Sequence, residues 1–192
     1  MLNSIFRPFL LTAAFLLSWA SLFGQSPAET DIVWSADRKL SWTDFEGSPS
    51  GQFVTDTLVA AITSSGFAYG LQISSATGAK FQIAAQFNPK DSWVRPNKRA
   101  NLYLLAHEQL HFDLAELYAR QFRKTLTQMN AKKPLDKKQV NDEYNAAYKA
   151  FQSRQRMYDL ETEHSRSKLE QTRWQAMIAK EIEALAAYGK DQ

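Results

Sequence analysis

The stretch LLAHEQLHFDLAELYAR, residues 104–120, contains no glycine or proline and has apolar side chains in nearly every direction. A helix that is apolar almost all round is a buried one. The stretch therefore predicts a long helix in the centre of the fold. It also carries His107 and His111 four residues apart, which sets the two imidazoles one above the other on one helix face.

Segments of strand character precede this helix, and only segments of helical character follow it. An antiparallel meander is predicted from three stretches that are rich in Val, Ile, Thr, Phe and Ala: residues 53–69, 71–76 and 80–87. Residues 98–129 and 137–187 lack glycine and proline, so each is predicted to be a helix, the second capped by Asp136. Strands first and helices afterwards indicate an α+β fold: a small antiparallel β-sheet, then the histidine-bearing helix and a long helical C-terminal half.

The amino-acid composition limits the class of protein and the residue types available for a metal site. The chain has 192 residues, 44% of them hydrophobic, which suits a packed core, and we expect one domain over residues 30–188. A net charge of +3 is too small to indicate nucleic-acid binding, so no nucleic-acid partner is predicted. The chain has no cysteine. A metal site must therefore use His, Asp and Glu, and no disulfide or cysteine-linked lipid can form.

The N-terminus differs from the rest of the sequence. Residues 1–24 carry one positive charge, Arg7, then a mostly apolar run with small residues after it, which is typical of a secretory signal peptide. The apolar run is short for a membrane span. We therefore expect an exported protein, periplasmic or extracellular, without stable membrane association after cleavage; an uncleaved anchor is the alternative.

The pattern His107-Glu108-x-x-His111 predicts a zinc site. Both imidazoles can reach one cation at about 2.0–2.1 Å. Glu108 lies about 100° further round the helix, so it points beside the cation and can act on a water there as general base. Buried His and Glu side chains need partners, and a metal would satisfy them.

The third ligand must come from elsewhere in the chain. The metzincin pattern is excluded because Leu114 and Leu117 stand where its glycine and its third histidine would be. The chain has one further histidine, His164, on a helical stripe predicted to face the core, and it is the preferred third ligand. Glu161, one turn earlier, is the alternative. Asp113 and Glu116 project away from the cation and are expected to form salt bridges or to support the ligands from outside.

Three segments carry a family resemblance: WSADRKLSWTDFEG, HEQLHFDLAELYAR and YDLETEH. Together they resemble an uncharacterised bacterial family labelled as secreted zinc-dependent proteases (domain of unknown function nine hundred and twenty-two) in the HExxH zincin clan. The likeness extends from residue 34 to about residue 180. It implies a general base at Glu108 and metal ligands at His107, His111 and His164. The family pattern has glycine at the positions of Leu110 and Ser165.

The expected function is that of an exported metallopeptidase that holds Zn²⁺ and hydrolyses a peptide or protein substrate. The substrate is expected to add as a strand along an edge formed by residues 80–88. Tyr158, Tyr103 and Arg166 are candidate hydrogen-bond donors to the transition state, and the sequence does not choose among them.

Other interpretations remain open at this stage. One is a non-catalytic exported metal-binding or interaction domain on a zincin scaffold. Another is a helical partner-binding protein whose histidines are paired by chance. Trp42, Asp44 and Phe45 are expected to form a packing corner over the sheet, with part of a substrate groove as the alternative.

Overall fold

The structure, a computed structural model, describes residues 30–56, 58–74 and 78–189. The predicted signal peptide, residues 1–24, lies outside the described residues. The strands and helices follow in the order β1 (Ile32–Val33), β2 (Ala61–Ile62), β3 (Ser65–Ser74), β4 (Gly78–Phe87), β5 (Trp93–Val94), α1 (Leu102–Lys132), α2 (Lys137–Glu161) and α3 (Lys168–Ala184). Short 3-10 helices lie at Trp42–Asp44, Gly51–Val54, Pro96–Lys98 and Ala186–Tyr188. The predicted α+β fold with small antiparallel sheets is confirmed.

Strand β4 is the middle strand of its sheet. It pairs antiparallel with β3 along its whole length, from Ser74 opposite Gly78 to Ser65 opposite Phe87. On its other side β1 pairs with its last two residues, Gln86 and Phe87. The prediction that residues 80–88 form a sheet edge is therefore wrong at residues 85–87, because β1 and the backbone N–H of Trp34 bond to them. Strands β2 and β5 form a separate two-stranded pair.

Helix α1 is the central buried element, as its apolar pattern predicts. Aromatic side chains join it to the sheet: Phe112 lies 5.8 Å from Phe87 between ring centroids, and Phe122 lies 6.1 Å from Phe67. On its far side Tyr118 meets Phe151 of α2 at 5.9 Å. Burial of each such side chain contributes about 1.5–3 kcal/mol. Within the described residues no helix combines the length and apolar character needed to span a bilayer.

The predicted packing corner before the sheet is confirmed. Phe45 is buried, with its ring centroid 4.9 Å from that of Trp42 and 5.1 Å from that of Phe87. Asp44 pairs with Arg38 at 2.7 Å and accepts the backbone N–H of Ser41 at 2.7 Å. These residues therefore fix the start of the domain on the sheet by packing.

The sequence predicts one helix over residues 137–187. These residues form two, α2 and α3, so the prediction is wrong for residues 162–167 between them. Between α2 and α3 the chain makes a turn in which Glu163, His164 and Ser165 have φ of 50°, 52° and 70°. The left-handed conformation costs roughly 1–2 kcal/mol for each non-glycine residue. Ser165, where the family pattern has glycine, thus occupies a position that suits glycine.

Local hydrogen bonds close this turn in spite of that cost. The backbone N–H of His164 donates to the carbonyl of Asp159 at 2.8 Å. The hydroxyl of Thr162, which is fully buried, donates to the carbonyl of Tyr158 at 2.7 Å. Ser167 then caps α3. These hydrogen bonds therefore end α2 two residues after Asp159, and this fixes the position of the Asp159 carboxylate.

Candidate metal centre

Three side-chain atoms from two helices converge on one point. The Nε2 atoms of His107 and His111 on α1 lie 3.3 Å apart. The Oδ1 atom of Asp159, near the end of α2, lies 3.2 Å from the first and 3.0 Å from the second. These three residues form a group whose ligand atoms could hold one metal ion.

The spacing of these atoms suits zinc. Tetrahedral zinc with bonds of about 2.0–2.1 Å places neighbouring ligand atoms about 3.3 Å apart. The three separations of 3.0, 3.2 and 3.3 Å are close to that value. Two imidazoles and one carboxylate are also a donor set that catalytic zinc sites use, with the fourth position open. The residues present therefore fit a zinc ion.

Gln155 fixes the orientation of His111. Its Oε1 accepts a hydrogen bond from Nδ1 of His111, and its Nε2 donates to the backbone carbonyl of the same residue at 3.2 Å. A histidine whose Nδ1 carries the proton presents the lone pair of Nε2 to a metal. Partners of this kind orient metal ligands and raise their basicity.

Tyr158 holds the other histidine by packing. Its ring stacks on that of His107, with centroids 4.5 Å apart and an angle of 23° between the planes. Its hydroxyl donates to the backbone carbonyl of His107 at 3.4 Å, and the residue is fully buried. The Nδ1 of His107 is buried and has no hydrogen-bond partner in the described part of the chain.

Glu108 lies beside the group, as the helix geometry predicts. It is 4% exposed, and its Oε2 accepts the hydroxyl of Thr63 at 2.7 Å. Thr63 directly follows β2, so the sheet region positions this carboxylate. The negative charge of Glu108 is one of the smaller contributions to the raised pKa of His111, after the hydrogen bond and the charge of Asp159.

The three converging groups also interact electrostatically. Burial on its own lowers the pKa of His111, but the hydrogen bond and the charge of Asp159 outweigh it and leave that pKa raised. Burial raises the pKa of Asp159, and its hydrogen bonds to His107 and His111 reverse this and lower it. The carboxylate of Asp159 and the ring of His111 therefore favour each other's charged forms.

His164 does not join the group. The prediction that it faces the core is wrong: its side chain is 77% exposed, with Nδ1 3.9 Å from Oδ1 of Asp159. The inward stripe assumed that one helix continued through residue 164, and the left-handed turn removes that periodicity. The alternative ligand Glu161 is also not brought in, because its Oε2 accepts Nε1–H of Trp174 at 2.8 Å.

Asp159 and Gln155 are not predicted as site residues from the sequence. They stand four apart on α2, as the histidines do on α1. Gln155 lies on the buried stripe of Phe151, Tyr158 and Thr162, and Asp159 lies beside it. Polar residues on or beside a buried stripe are the signal that could have found them.

Asp113 and Glu116 form ion pairs, as predicted. Glu116 is 1% exposed and pairs with Arg120 at 2.8 Å and Arg123 at 3.3 Å. Asp113 lies 3.9 Å from Lys39. Neither belongs to the group that could hold a metal among the described residues.

The three converging residues lie in the part of the chain that matches a protein-family model. Residues 80–165 match the family described as a bacterial protein of unknown function (DUF922). The match supports a bacterial family of unknown function, and its range contains α1, α2 and the three converging side chains. Comparison with curated proteins and with solved structures finds no match to this chain.

Proposed function

We propose that this chain is an exported zinc-dependent metallopeptidase that acts on a peptide or protein substrate. One observation carries the proposal: Nε2 of His107, Nε2 of His111 and Oδ1 of Asp159 lie 3.0–3.3 Å apart, at the spacing of zinc ligands. Asp159 takes the place of His164 as the third ligand. Export, to the periplasm or beyond, is proposed from the signal-like residues 1–24.

The residues around the centre supply the acid–base chemistry. When bound, the ion lowers the pKa of a water molecule and polarises the carbonyl to be attacked. Glu108 accepts the proton of the attacking water and passes it to the nitrogen of the leaving amine. Thr63 engages Oε2 of Glu108, which leaves Oε1 as the oxygen that carries the proton.

The surrounding side chains keep this arrangement rigid. Gln155 fixes the ring of His111, and Tyr158 fixes the ring of His107. His107 and Glu108 are 3% and 4% exposed, so bulk water has little access to this proposed ligand or to the proposed base. A rigid and largely dry site strengthens the electrostatic interactions that catalysis uses.

Substitution of the proposed base tests this function. Glu108→Gln keeps the shape of the side chain but cannot accept a proton, so zinc content should be unchanged and hydrolysis of fluorescently labelled casein should fall about 10²–10⁴-fold. Glu143→Gln, the same change at an exposed site on α2, is the matched control. A Glu108→Gln variant as active as the wild type would overturn the proposal. Zinc in the wild type without hydrolysis would favour the non-catalytic metal-binding domain.

A further inference from the structure

The turn between α2 and α3 holds His164 at the rim of the metal centre. Its Nδ1 lies 3.9 Å from Oδ1 of Asp159, the same oxygen that approaches the two ligand histidines. That separation is too long for a hydrogen bond. The side chain is 77% exposed, and its contact with Asp159 is an ion-pair contact without a hydrogen bond, so a ring N–H remains accessible to a bound molecule.

The backbone of this turn stays in a costly conformation. Three successive residues that are not glycine, Glu163 to Ser165, have positive φ. At roughly 1–2 kcal/mol each, such a turn persists only where its surroundings enforce it, and strained positions of this kind cluster at functional sites. In this turn the backbone N–H of His164 donates a hydrogen bond to the backbone carbonyl of Asp159. His164 is thereby held close to the proposed ligand Asp159.

The other candidate donors are less well placed. The hydroxyl of Tyr158 already donates to the backbone carbonyl of His107. Arg166 is exposed and lies beyond the turn. Tyr103, one helical turn before His107, has its ring beside the ammonium of Lys168 at 5.8 Å. The hydroxyl of Tyr103 also has no hydrogen-bond partner within the described part of the chain, but it is buried. His164, in contrast, is exposed, and its Nδ1 lies 3.9 Å from Oδ1 of Asp159, an atom of the converging group.

We propose that His164 is a catalytic residue that donates a hydrogen bond to the carbonyl oxygen of the scissile peptide as that oxygen gains negative charge. This inference rests on the proposed function. Water adds to the carbonyl carbon, Glu108 takes its proton, the carbon–nitrogen bond breaks and the proton ends on the amine. His164 forms no covalent bond and keeps its own proton. Its contribution is stronger in the transition state than in the bound substrate, which is the condition for raising kcat.

The test compares His164→Ala, His164→Gln and Glu163→Ala in the full exported chain. Glu163 is the matched control because it is exposed in the same turn with nearly the same φ. With a quenched fluorescent peptide, His164→Ala should lower kcat about 10²–10³-fold with KM little changed. His164→Gln retains an N–H donor and should recover part of the loss. Zinc content should be one ion per chain in all three.

A second measurement does not depend on turnover. An N-phosphorylated leucyl dipeptide mimics the tetrahedral transition state, and calorimetry gives its affinity for the zinc-loaded protein. His164→Ala should weaken that affinity by about the factor lost in kcat/KM, since both report transition-state binding. Glu163→Ala should leave it unchanged.

The outcomes separate the two proposals. Equal affinity of wild type and His164→Ala for the phosphorylated dipeptide would overturn the role of His164, even if the wild type cleaves no probe. Loss of zinc in His164→Ala would also overturn it and make His164 a ligand. A zinc-loaded wild type that cleaves neither casein nor the peptide would refute the proposed function and, with it, the role of His164. A wild type that cleaves the peptide no faster than His164→Ala would refute the role of His164 alone. A wild type that binds no zinc would refute both.

Discussion

Oδ1 of Asp159 lies 3.0 Å from Nε2 of His111, and this contact joins α2 to α1 at the candidate metal centre. Neither helix can make the site alone, because α1 supplies only two ligand atoms. The helices are held against each other by aromatic contacts such as Tyr118 with Phe151. Core packing therefore sets the distance between the side chains of the two helices that converge here.

Loss of the Gln155 side chain should weaken the metal site without removing a ligand. Gln155→Ala frees the ring of His111 to rotate and lowers its basicity, and partners of this kind are worth about 10–100-fold in metal affinity. Competition with a zinc chelator measures the change. Gln152→Ala, at an exposed position one turn earlier, is the control. Unchanged affinity in Gln155→Ala would show that its contacts with His111 are incidental.

The metal-free protein should show a defined pH dependence. The pKa of His111 is raised, so its stabilising effect is full below 6.5 and is lost as the pH rises through the folded-state pKa. The pKa of Asp159 is lowered, so its effect is present above 3.8 and is lost as the pH falls through the folded-state pKa. The contribution of the pair should therefore be largest between these two values.

Thermal melting with a chelator across this range measures that contribution. Asp159→Asn should flatten the profile, because it removes the charge on which both shifts depend. Zinc binding requires neutral histidines, so added zinc should stabilise most at the higher pH values, where the metal-free protein has lost this ion pair. A profile for Asp159→Asn that matches the wild type would contradict the assignment.

The hydroxyl of Thr63 should support the general base. It donates to Oε2 of Glu108 at 2.7 Å, and a hydrogen bond to a charged group is worth about 1.5–3 kcal/mol. Thr63→Val keeps the shape and should lower kcat by roughly tenfold or more, with zinc content unchanged. Thr63→Ser keeps the hydroxyl and should stay near wild type. Equal rates for the Val and Ser variants would mean that the bond does not position Glu108.

The buried carboxylate of Glu116 should matter for stability and not for metal binding. It neutralises Arg120 and Arg123, which are largely buried. Breaking a buried ion pair by removing one partner costs about 3–5 kcal/mol. Urea unfolding should show a loss of this size for Glu116→Gln and almost none for the exposed Glu143→Gln. A Glu116→Gln variant that unfolds normally but loses zinc would place Glu116 in the metal site instead.

The parts of the site that depend on local geometry could be predicted from the sequence. Helical periodicity alone sets His107 above His111 and points Glu108 beside them. The same reasoning identified the buried character of α1. Packing of Trp42 and Phe45 was predictable because large aromatic side chains are most stable when buried.

The position of Asp159 beside the two histidines could not be predicted, because it depends on where α2 ends and how it crosses α1. The turn at Glu163, His164 and Ser165 contains neither glycine nor proline, so no ordinary breaker marked it. With the helix taken as continuous, His164 appeared to face the core. The true end of α2 turns His164 outward and leaves Asp159 facing the histidines. The central position of β4 in its sheet could not be predicted for a similar reason. It depends on pairing with β1, which lies more than 50 residues before its partners in the chain.

Zinc content of Asp159→Ala compared with His164→Ala tests the central claim most directly. Elemental analysis after dialysis of folded protein gives the stoichiometry, and Asp142→Ala, an exposed change on the same helix, is the control. We predict one zinc ion per chain in the wild type, in His164→Ala and in the control, and none in Asp159→Ala. Full zinc in Asp159→Ala, or its loss in His164→Ala, would contradict a centre built from His107, His111 and Asp159.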